Sequence, residues 1–256
     1  MRPGLTHLNP VLNMKRKHPF TVGSIHHIYN RGVAKYPICK GEADYWRFLQ
    51  GLCLFNDVKS TNRVLWELER QRGELNLKIL RDYVVSPSHE RDKLVRILAY
   101  CIMGNHYHLL VEEIREGGIT QFMHKFGTGY SMFFNKKHER VGPLFQGRFK
   151  NVPVDDDLQL QYLLVYINVL NPANFVAPNW KEEGIDNIEK VLRYVEEYPW
   201  SSHQDYLGLR NSIILEKGIF ENIFPTPKAY SDLVVAVLEA KNTNKFLTSF
   251  WKTKGV

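Results

Sequence analysis

The sequence has little cysteine, no long apolar run and no internal repeat. Its three cysteines, Cys39, Cys53 and Cys101, form no CxxC pair and no even-numbered set among 256 residues. This argues against a disulfide scaffold and against a thiolate zinc site. No stretch reaches about 18 apolar residues, and no hydrophobic segment of a signal peptide follows the basic amino end. We therefore expect a cytoplasmic protein that does not enter a membrane.

Positive charge is the first feature that the sequence does have. Lys and Arg number 34 against 27 for Asp and Glu, which gives a formal net charge of +7. Such an excess favours a polyanionic partner, nucleic acid above all. With 44% hydrophobic and 24% charged residues, the chain can bury a core of one large domain or two small ones. A disordered or fibrous protein is excluded.

Hydrophobic periodicity predicts an α+β fold. Alternating β-branched and aromatic residues over 21–30 predict a strand, and the spacing of three and four over 42–55 predicts an amphipathic helix. Two apolar runs, over 93–103 and 106–111, predict neighbouring strands of one antiparallel sheet. Helical spacing returns over 119–135. The expected architecture is an antiparallel sheet with packed helices.

The same patterns suggest three regions along the chain. We expect a basic amino-terminal arm over 1–19, a core over 20–152 and a helical carboxyl-terminal extension over 153–256. The core contains a charged insertion at about 56–92, and Arg140 to Asn151 is a loop or short strand. Helices of the extension are predicted over 155–170, 186–197 and 227–241.

The most informative motif is a pair of histidines, His106 and His108, that flank Tyr107 at the start of a predicted strand. Spacing of two places both imidazoles on one face and Tyr107 on the other. Two neutral imidazoles side by side can bind one divalent cation and leave positions for water, a third ligand and a phosphate oxygen. An isolated pair of this kind is also found as the ordinary polar edge of a strand. The residues around the pair distinguish a metal site from an ordinary strand edge.

Those neighbours resemble a known family. The segment YCIMGNHYHLL at 100–110 resembles the His-hydrophobic-His motif of the single-tyrosine HUH transposases. Further blocks resemble the same family in the same order: HIYNRG at 27–32, GPLFQGRF at 142–149, YIN with NP at 166–172, and WSS with a tyrosine at 200–206. The combination, over residues 21–208, resembles the REP-associated branch. Gly104 stands where the family usually has proline, and residues 209–256 match no segment of it.

The resemblance implies a ferredoxin-like HUH fold and a transesterification. The nucleophile is one tyrosine on a helix after the metal strand, and Tyr130 occupies the matching place. Its phenolate would attack single-stranded DNA, leaving a 5′-phosphotyrosine and a free 3′-hydroxyl. Mg²⁺ or Mn²⁺ held by His106 and His108 would polarise the scissile phosphate. A third ligand is expected from the same helix, with Asn135 and His124 as the two candidates.

Basic residues next to this tyrosine suit a DNA partner. Five of them outnumber the single Glu139 over 136–150: Lys136, Lys137, Arg140, Arg148 and Lys150. Phe145 and Phe149, together with Gln146, can stack on and hydrogen-bond unpaired bases. Arg31 is a further phosphate contact. The alternative is that both phenylalanines fill the core and the charges form a solvated face.

Three functions remain open. The first is a metal-dependent endonuclease and strand transferase that acts on single-stranded or hairpin DNA. The second is a catalytically silent DNA-binding regulator that retains the fold, and the third is a phosphodiesterase that uses water. In the third, Tyr130 is dispensable. The alternative to Tyr130 as nucleophile is a tyrosine that only packs against Phe126 and Phe134 on the same side of its helix. The REP-associated branch implies a monomer, whereas a dimer would share the site between protomers, as some relatives do.

Overall fold

The computed structural model describes residues 19–59 and 91–242. Nearly all of the amino-terminal arm and most of the charged insertion at 56–92 lie outside the described residues, as does the end of the carboxyl-terminal extension.

Four strands form one antiparallel sheet: β1 (Ile25–Arg31), β2 (Val95–Ile102), β3 (His106–Glu113) and β4 (Lys150–Pro153). Their order across the sheet is β2-β3-β1-β4. Helix α1 (Glu42–Leu54) lies between β1 and β2 in the chain, and helix α2 (Gly118–Lys137) lies between β3 and β4. This order joins two interleaved split βαβ units, which is the ferredoxin-like topology. The predicted α+β class and its antiparallel sheet are confirmed.

Helices α1 and α2 cover the first face of the sheet. Their apolar stripes meet strand residues in one core, where the ring centroids of Phe48 and Phe126 lie 4.7 Å apart and those of Phe48 and Tyr107 lie 5.2 Å apart. The spacing of three and four that predicted these helices is the spacing of their buried sides. Tyr107 faces this core, as the alternation of β3 requires.

Helices of the carboxyl-terminal region cover the second face. They are α3 (Asp157–Val165), α4 (Ile188–Glu197), α5 (His203–Tyr206), α6 (Phe220–Ile223) and α7 (Pro227–Asn242). A π-helical segment, Tyr166–Leu170, and a last turn, Asn171–Ala173, continue α3 directly. No helix in the described ranges is long and apolar enough to cross a membrane.

Helix α3 is the inner layer of this second half. It begins at Asp156, whose carboxylate accepts a hydrogen bond from the Gln159 backbone N–H at 2.7 Å. Buried aliphatic side chains such as Leu164 and Ile167 join Leu110 and Cys101 of the sheet in a second core. Apart from its exposed first residues, Asp157 and Leu158, α3 is buried along most of its length. Both faces of the sheet are therefore covered, which explains why β2 and β3 are buried along nearly their whole length.

Candidate functional site

The two histidines of the motif share the second face of the sheet, on β3. Their ring centroids lie 5.2 Å apart, and the rings are nearly perpendicular. Burial lowers the pKa of His106 to about 4 and holds the pKa of His108 well below its usual value of 6.5. Both rings are consequently neutral at pH 7, which is the form of imidazole that binds a metal ion.

Each of these rings has a partner that orients it. His106 Nδ1 lies 2.7 Å from Asn105 Oδ1, and because an amide oxygen only accepts, the proton sits on Nδ1 and the Nε2 lone pair stays available. His108 Nδ1 lies 2.8 Å from His27 Nε2. When His108 Nδ1 is the donor of this bond, its Nε2 is available too. The pair therefore fits the two imidazole ligands of a divalent cation.

His27, on β1, is a third histidine at the site. Its side chain is fully buried, and burial lowers its pKa to about 3. It stacks on Tyr29 at 5.1 Å between ring centroids and on His108 at 5.0 Å. The sequence placed His27 in the family motif at 27–32, but only the pairing of β1 with β3 shows that it supports His108.

A cleft of about 200 Å³ opens beside His106. The side chains lining it come from the end of β1, from β3, from β4 and from the loop before β4: Tyr29, Asn30, Arg31, His106, Gln146 and Lys150. Three of the predicted DNA-contacting residues, Arg31, Gln146 and Lys150, are thus brought together with a predicted metal ligand.

The cleft is electropositive. No Asp or Glu lines it. The positive charges of Arg31 and Lys181 contribute to the lowered pKa of His106, after burial, and Lys181 also acts on His108. Positive charge of this kind attracts phosphate and disfavours a free divalent cation, so a cation held by the two histidines would need a phosphate oxygen as a further ligand.

Tyr130 does not lie at this site. It is buried on the first face, where its ring centroid lies 4.8 Å from that of Phe48 and its hydroxyl donates to the Ile38 carbonyl oxygen at 2.6 Å. Tyr107, which alternates with the histidines along β3, belongs to the same core. The sheet therefore separates Tyr130 from His106 and His108. The prediction that places Tyr130 beside them is wrong, because α2 packs on the opposite face.

The prediction of a third ligand from α2 fails for the same reason. The Asn135 side chain donates to the Gly142 carbonyl oxygen at 2.8 Å and accepts from Arg140 at 3.2 Å, which shapes the turn after the helix. Arg140 also donates to the Pro143 carbonyl oxygen at 2.8 Å. His124 is exposed on α2. Asn135 and Arg140 thus stabilise a loop on the first face and are not arranged around the histidine pair.

Lys137 has an internal partner as well. Its Nζ lies 2.7 Å from Oδ1 of the buried Asp44, whose other carboxylate oxygen lies 2.9 Å from His138 Nε2. An ion pair with a buried carboxylate holds the ammonium group close to the protein. Lys137 is therefore a link between α1 and α2, and the prediction that it contacts DNA is not supported by its position. Lys136 remains exposed.

Tyr166 is the tyrosine that the fold brings to the histidines. Its ring centroid lies 5.6 Å from that of His108 and 6.1 Å from that of His27, with the rings nearly perpendicular. Burial raises the pKa of its phenol to about 12. Tyr166 is the first residue of the π-helical segment, and the Asn171 backbone N–H donates to its carbonyl oxygen five residues back. Single π turns of this kind are frequent at functional sites.

The sequence contains a signal for Tyr166 that periodicity does not detect. The family motif YIN at 166–168 indicates only the end of a helix. Tyr166 is not one of the apolar residues whose spacing predicts the helix over 155–170. Residues 162–170 are all buried, so nearly every position is interior. The run contains two tyrosines, Tyr162 and Tyr166, and only Tyr166 belongs to the YIN motif.

Comparison with known proteins gives a family match that includes the histidine pair and Tyr166. Residues 77–169 match the family model of the IS200-like transposases. No curated protein matches the chain. Among solved structures, a REP-associated tyrosine transposase bound to a REP hairpin matches with 11% sequence identity and a TM-score of 0.39, over 79% of this chain and 96% of that one. The matched residues include His106, His108 and Tyr166, and over 77–169 the chain is similar to the IS200-like transposases by sequence.

Proposed function

We propose that the protein is a metal-dependent endonuclease and strand transferase for single-stranded, hairpin-bearing DNA, with Tyr166 as its nucleophile. One observation carries the proposal. A buried tyrosine lies 5.6 Å, between ring centroids, from a neutral histidine that is one of a pair beside an electropositive cleft. The match to the IS200-like transposases supports the reaction class. The hairpin substrate is the one that the family resemblance implies.

The reaction is a phosphoryl transfer to the phenol oxygen. Tyr166 Oη attacks the phosphorus, and the bond from phosphorus to the 3′ oxygen breaks. In the overall reaction the phenol proton is transferred to that 3′ oxygen. The products are a 5′-phosphotyrosine and a free 3′-hydroxyl. Because the covalent bond conserves the phosphodiester, the 3′-hydroxyl of a strand can reverse the step and join DNA without ATP. The raised pKa of Tyr166 keeps the phenol protonated until the substrate is bound.

His106 and His108 would hold the cation through their Nε2 atoms. The bound cation, Mg²⁺ or Mn²⁺, withdraws charge from the scissile phosphate. In residues 19–59 and 91–242, no cluster of three or more His, Cys, Asp or Glu side chains forms a metal site. We propose that oxygens of water and of the DNA supply the remaining ligands. The DNA and the cation are expected to bind cooperatively.

Cationic side chains of the cleft position the phosphate. The Arg31 guanidinium has no hydrogen bond or ion pair within the described part of the chain, and Lys150 Nζ lies 6.0 Å from the centre of the Tyr29 ring. Cations without a protein partner are available to phosphate oxygens. Gln146 adds a neutral hydrogen-bonding group at the same place.

The placement of Tyr166 supports a monomer as the active form. In relatives that share a site between protomers, the histidines and the tyrosine come from different chains. Here Tyr166, His27 and His108 come from one chain and make ring contacts with one another. A single copy thus holds the nucleophile and the histidine pair together.

Covalent capture of DNA tests this function. We expect a labelled hairpin oligonucleotide, drawn from palindromes that flank the gene, to become attached to the protein in the presence of Mn²⁺ and to be visible on a denaturing gel. Chelation with EDTA should prevent attachment without preventing binding. Cleavage without attachment would instead favour the phosphodiesterase. Tight binding with neither cleavage nor attachment would favour the regulator.

His27 gives a prediction about metal affinity. In a Tyr166→Phe background with the oligonucleotide bound, we expect His27→Phe to weaken Mn²⁺ binding about 10–100-fold, because His108 loses the acceptor that orients it. Gln in place of His27 retains an acceptor and should restore much of the affinity. Electron paramagnetic resonance of free Mn²⁺ measures this directly. If Tyr166→Phe binds Mn²⁺ equally well with and without His27→Phe, His27 is only a packing residue.

A further inference from the structure

A chain of hydrogen bonds lies inside the second core, among side chains that are mostly apolar. It includes Asn168, which is fully buried in the π-helical segment that begins at Tyr166. The neighbours of Asn168 in that segment, Ile167, Val169 and Leu170, are buried aliphatic residues. A buried amide in such surroundings costs stability unless its polar atoms have partners. The partners of Asn168 therefore show what holds the π-helical segment in place.

Two hydroxyl groups from distant parts of the chain hold the Asn168 amide. Its Oδ1 accepts a hydrogen bond from Ser202 Oγ at 2.6 Å, and its Nδ2 donates to Tyr230 Oη at 3.2 Å. Ser202 Oγ in turn accepts from the Tyr100 backbone N–H of β2 at 3.1 Å. The amide is thus attached to the sheet through Ser202 and to helix α7 through Tyr230.

His203 orients the Tyr230 hydroxyl in this chain of bonds. Its Nδ1 lies 2.8 Å from Tyr230 Oη, and burial lowers its pKa to about 4, so the ring is neutral at pH 7. Tyr230 Oη accepts from Asn168, and its own proton has His203 Nδ1 as acceptor. Tyr230 is fully buried. Loss of its hydroxyl would leave the Asn168 amide without this acceptor in an apolar core.

The position of Tyr166 depends on the same segment. Residues two apart on a helix point in nearly opposite directions, so Asn168 is anchored on one side while Tyr166 contacts His108 and His27 on the other. The bond from the Asn171 backbone N–H to the Tyr166 carbonyl oxygen spans five residues instead of four. Relaxation to an α-helix would turn the following residues by about 100° around the axis and break the bonds of Asn168. Those bonds therefore stabilise the π-helical form.

We propose that Tyr230 is a positioning residue for the nucleophile. Through Asn168 it keeps the π-helical segment in the form that places the Tyr166 phenol beside the histidines. The inference rests on the proposed function, since it takes Tyr166 to be the nucleophile. Because Tyr230 is fully buried, it contacts neither DNA nor the cation. It lies in 209–256, beyond every segment that resembles the family and beyond the matched residues 77–169. The carboxyl-terminal extension is then a working part of the site.

Tyr230→Phe tests this role, because it removes the hydroxyl and keeps the ring. We expect the rate of DNA attachment at saturating DNA to fall about tenfold, since a reacting group displaced by about 1 Å can lose about a hundredfold in rate. The affinity for DNA in EDTA should not change. A loss in the rate at saturation with unchanged affinity is the result expected of a positioning residue.

Tyr206→Phe is the matched control. Tyr206 is a buried tyrosine of the same core, and its hydroxyl donates to the Leu98 carbonyl oxygen at 2.8 Å, away from the π-helical segment. Tyr230→Phe and Tyr206→Phe each lose a buried hydrogen bond, so both should lower the temperature of thermal unfolding. Below that temperature, Tyr206→Phe should attach DNA at the rate of the unsubstituted protein. A rate loss in Tyr230→Phe no larger than in Tyr206→Phe would overturn the proposal.

A fluorine label reports the position of Tyr166 without any reaction. With fluorotyrosine incorporated at position 166 alone, fluorine NMR of the otherwise unsubstituted protein should give one narrow resonance. Tyr230→Phe should shift and broaden this resonance, and Tyr206→Phe should leave it unchanged. An unchanged resonance in Tyr230→Phe would also overturn the proposal.

The label separates this inference from the proposed chemistry. Unaltered attachment of DNA together with an unaltered resonance in Tyr230→Phe refutes the positioning role and leaves the proposed function in place. A resonance that changes in Tyr230→Phe but not in Tyr206→Phe, in a protein that never attaches DNA, supports the placement of Tyr166 by Tyr230 and refutes the chemistry.

Discussion

Tyr166→Phe is expected to abolish covalent capture of DNA, and Tyr130→Phe is expected to retain it. Removal of a nucleophile from a covalent mechanism costs at least about a thousandfold in rate. The phenyl ring of the variant keeps the packing against His108 and His27, so the site should otherwise be preserved. The rate of attachment of labelled DNA on a denaturing gel measures the effect. Binding of the same DNA in EDTA should change little.

Tyr130→Phe is the matched control, since it removes the same hydroxyl from a tyrosine on the opposite face. The substitution loses a buried hydrogen bond to the Ile38 carbonyl oxygen, which corresponds to about 1 kcal/mol of stability. Its thermal transition should fall while attachment at low temperature persists. If attachment instead survives in Tyr166→Phe and disappears in Tyr130→Phe, the nucleophile belongs to α2. Helix α2 would then have to leave the first core during the reaction.

Replacing both His106 and His108 with Ala should produce the second large loss of activity. We expect the rate of cleavage to fall at least about a hundredfold. The cation would lose its two protein ligands, and the charge on the phosphate would no longer be stabilised by the cation. The unsubstituted protein should also be more active with Mn²⁺ than with Mg²⁺. Imidazole suits Mn²⁺ better than Mg²⁺, which prefers oxygen ligands, and no carboxylate lines the cleft. Titration of cleavage with each cation provides the comparison.

Gln121→Ala serves as the control for this pair, because Gln121 is an exposed residue of α2 on the other side of the sheet. Its cleavage rate should stay within about threefold of the unsubstituted protein, since surface substitutions away from a site have small effects. Binding of DNA in EDTA should be similar for all variants. Undiminished cleavage in the double alanine variant would exclude these histidines as metal ligands. A loss just as large in Gln121→Ala would show that the effect is not specific to the histidine pair.

The structure explains why the candidate site lies where it does. The sheet divides the molecule into two cores, one against α1 and α2 and one against α3 and the later helices. Side chains alternate along β3, so Tyr107 enters the first core and the histidines enter the second. The site is therefore completed by the carboxyl-terminal half of the chain. That region, including α3, forms the layer that carries Tyr166 to the histidines.

Much of this arrangement follows from local sequence patterns. Alternation and apolar runs predicted β1, β2 and β3, and spacing of three and four predicted α1 and α2, because each pattern reports which side of a single element is buried. The motif at 106–108 placed two imidazoles on one face for the same reason. Arg31, Gln146 and Lys150 were identified from composition and motif, and the fold brings all three to the cleft.

The choice between Tyr130 and Tyr166 depended on tertiary structure. Both tyrosines follow the histidines in the chain and both lie on helices, so the helical pattern alone does not separate them. What separates them is the face of the sheet on which each helix packs. That face is set by the two crossover connections, β1-α1-β2 and β3-α2-β4, which place both their helices on one side. The sequence by itself determined the elements and the histidine pair, and long-range packing decided which tyrosine meets them.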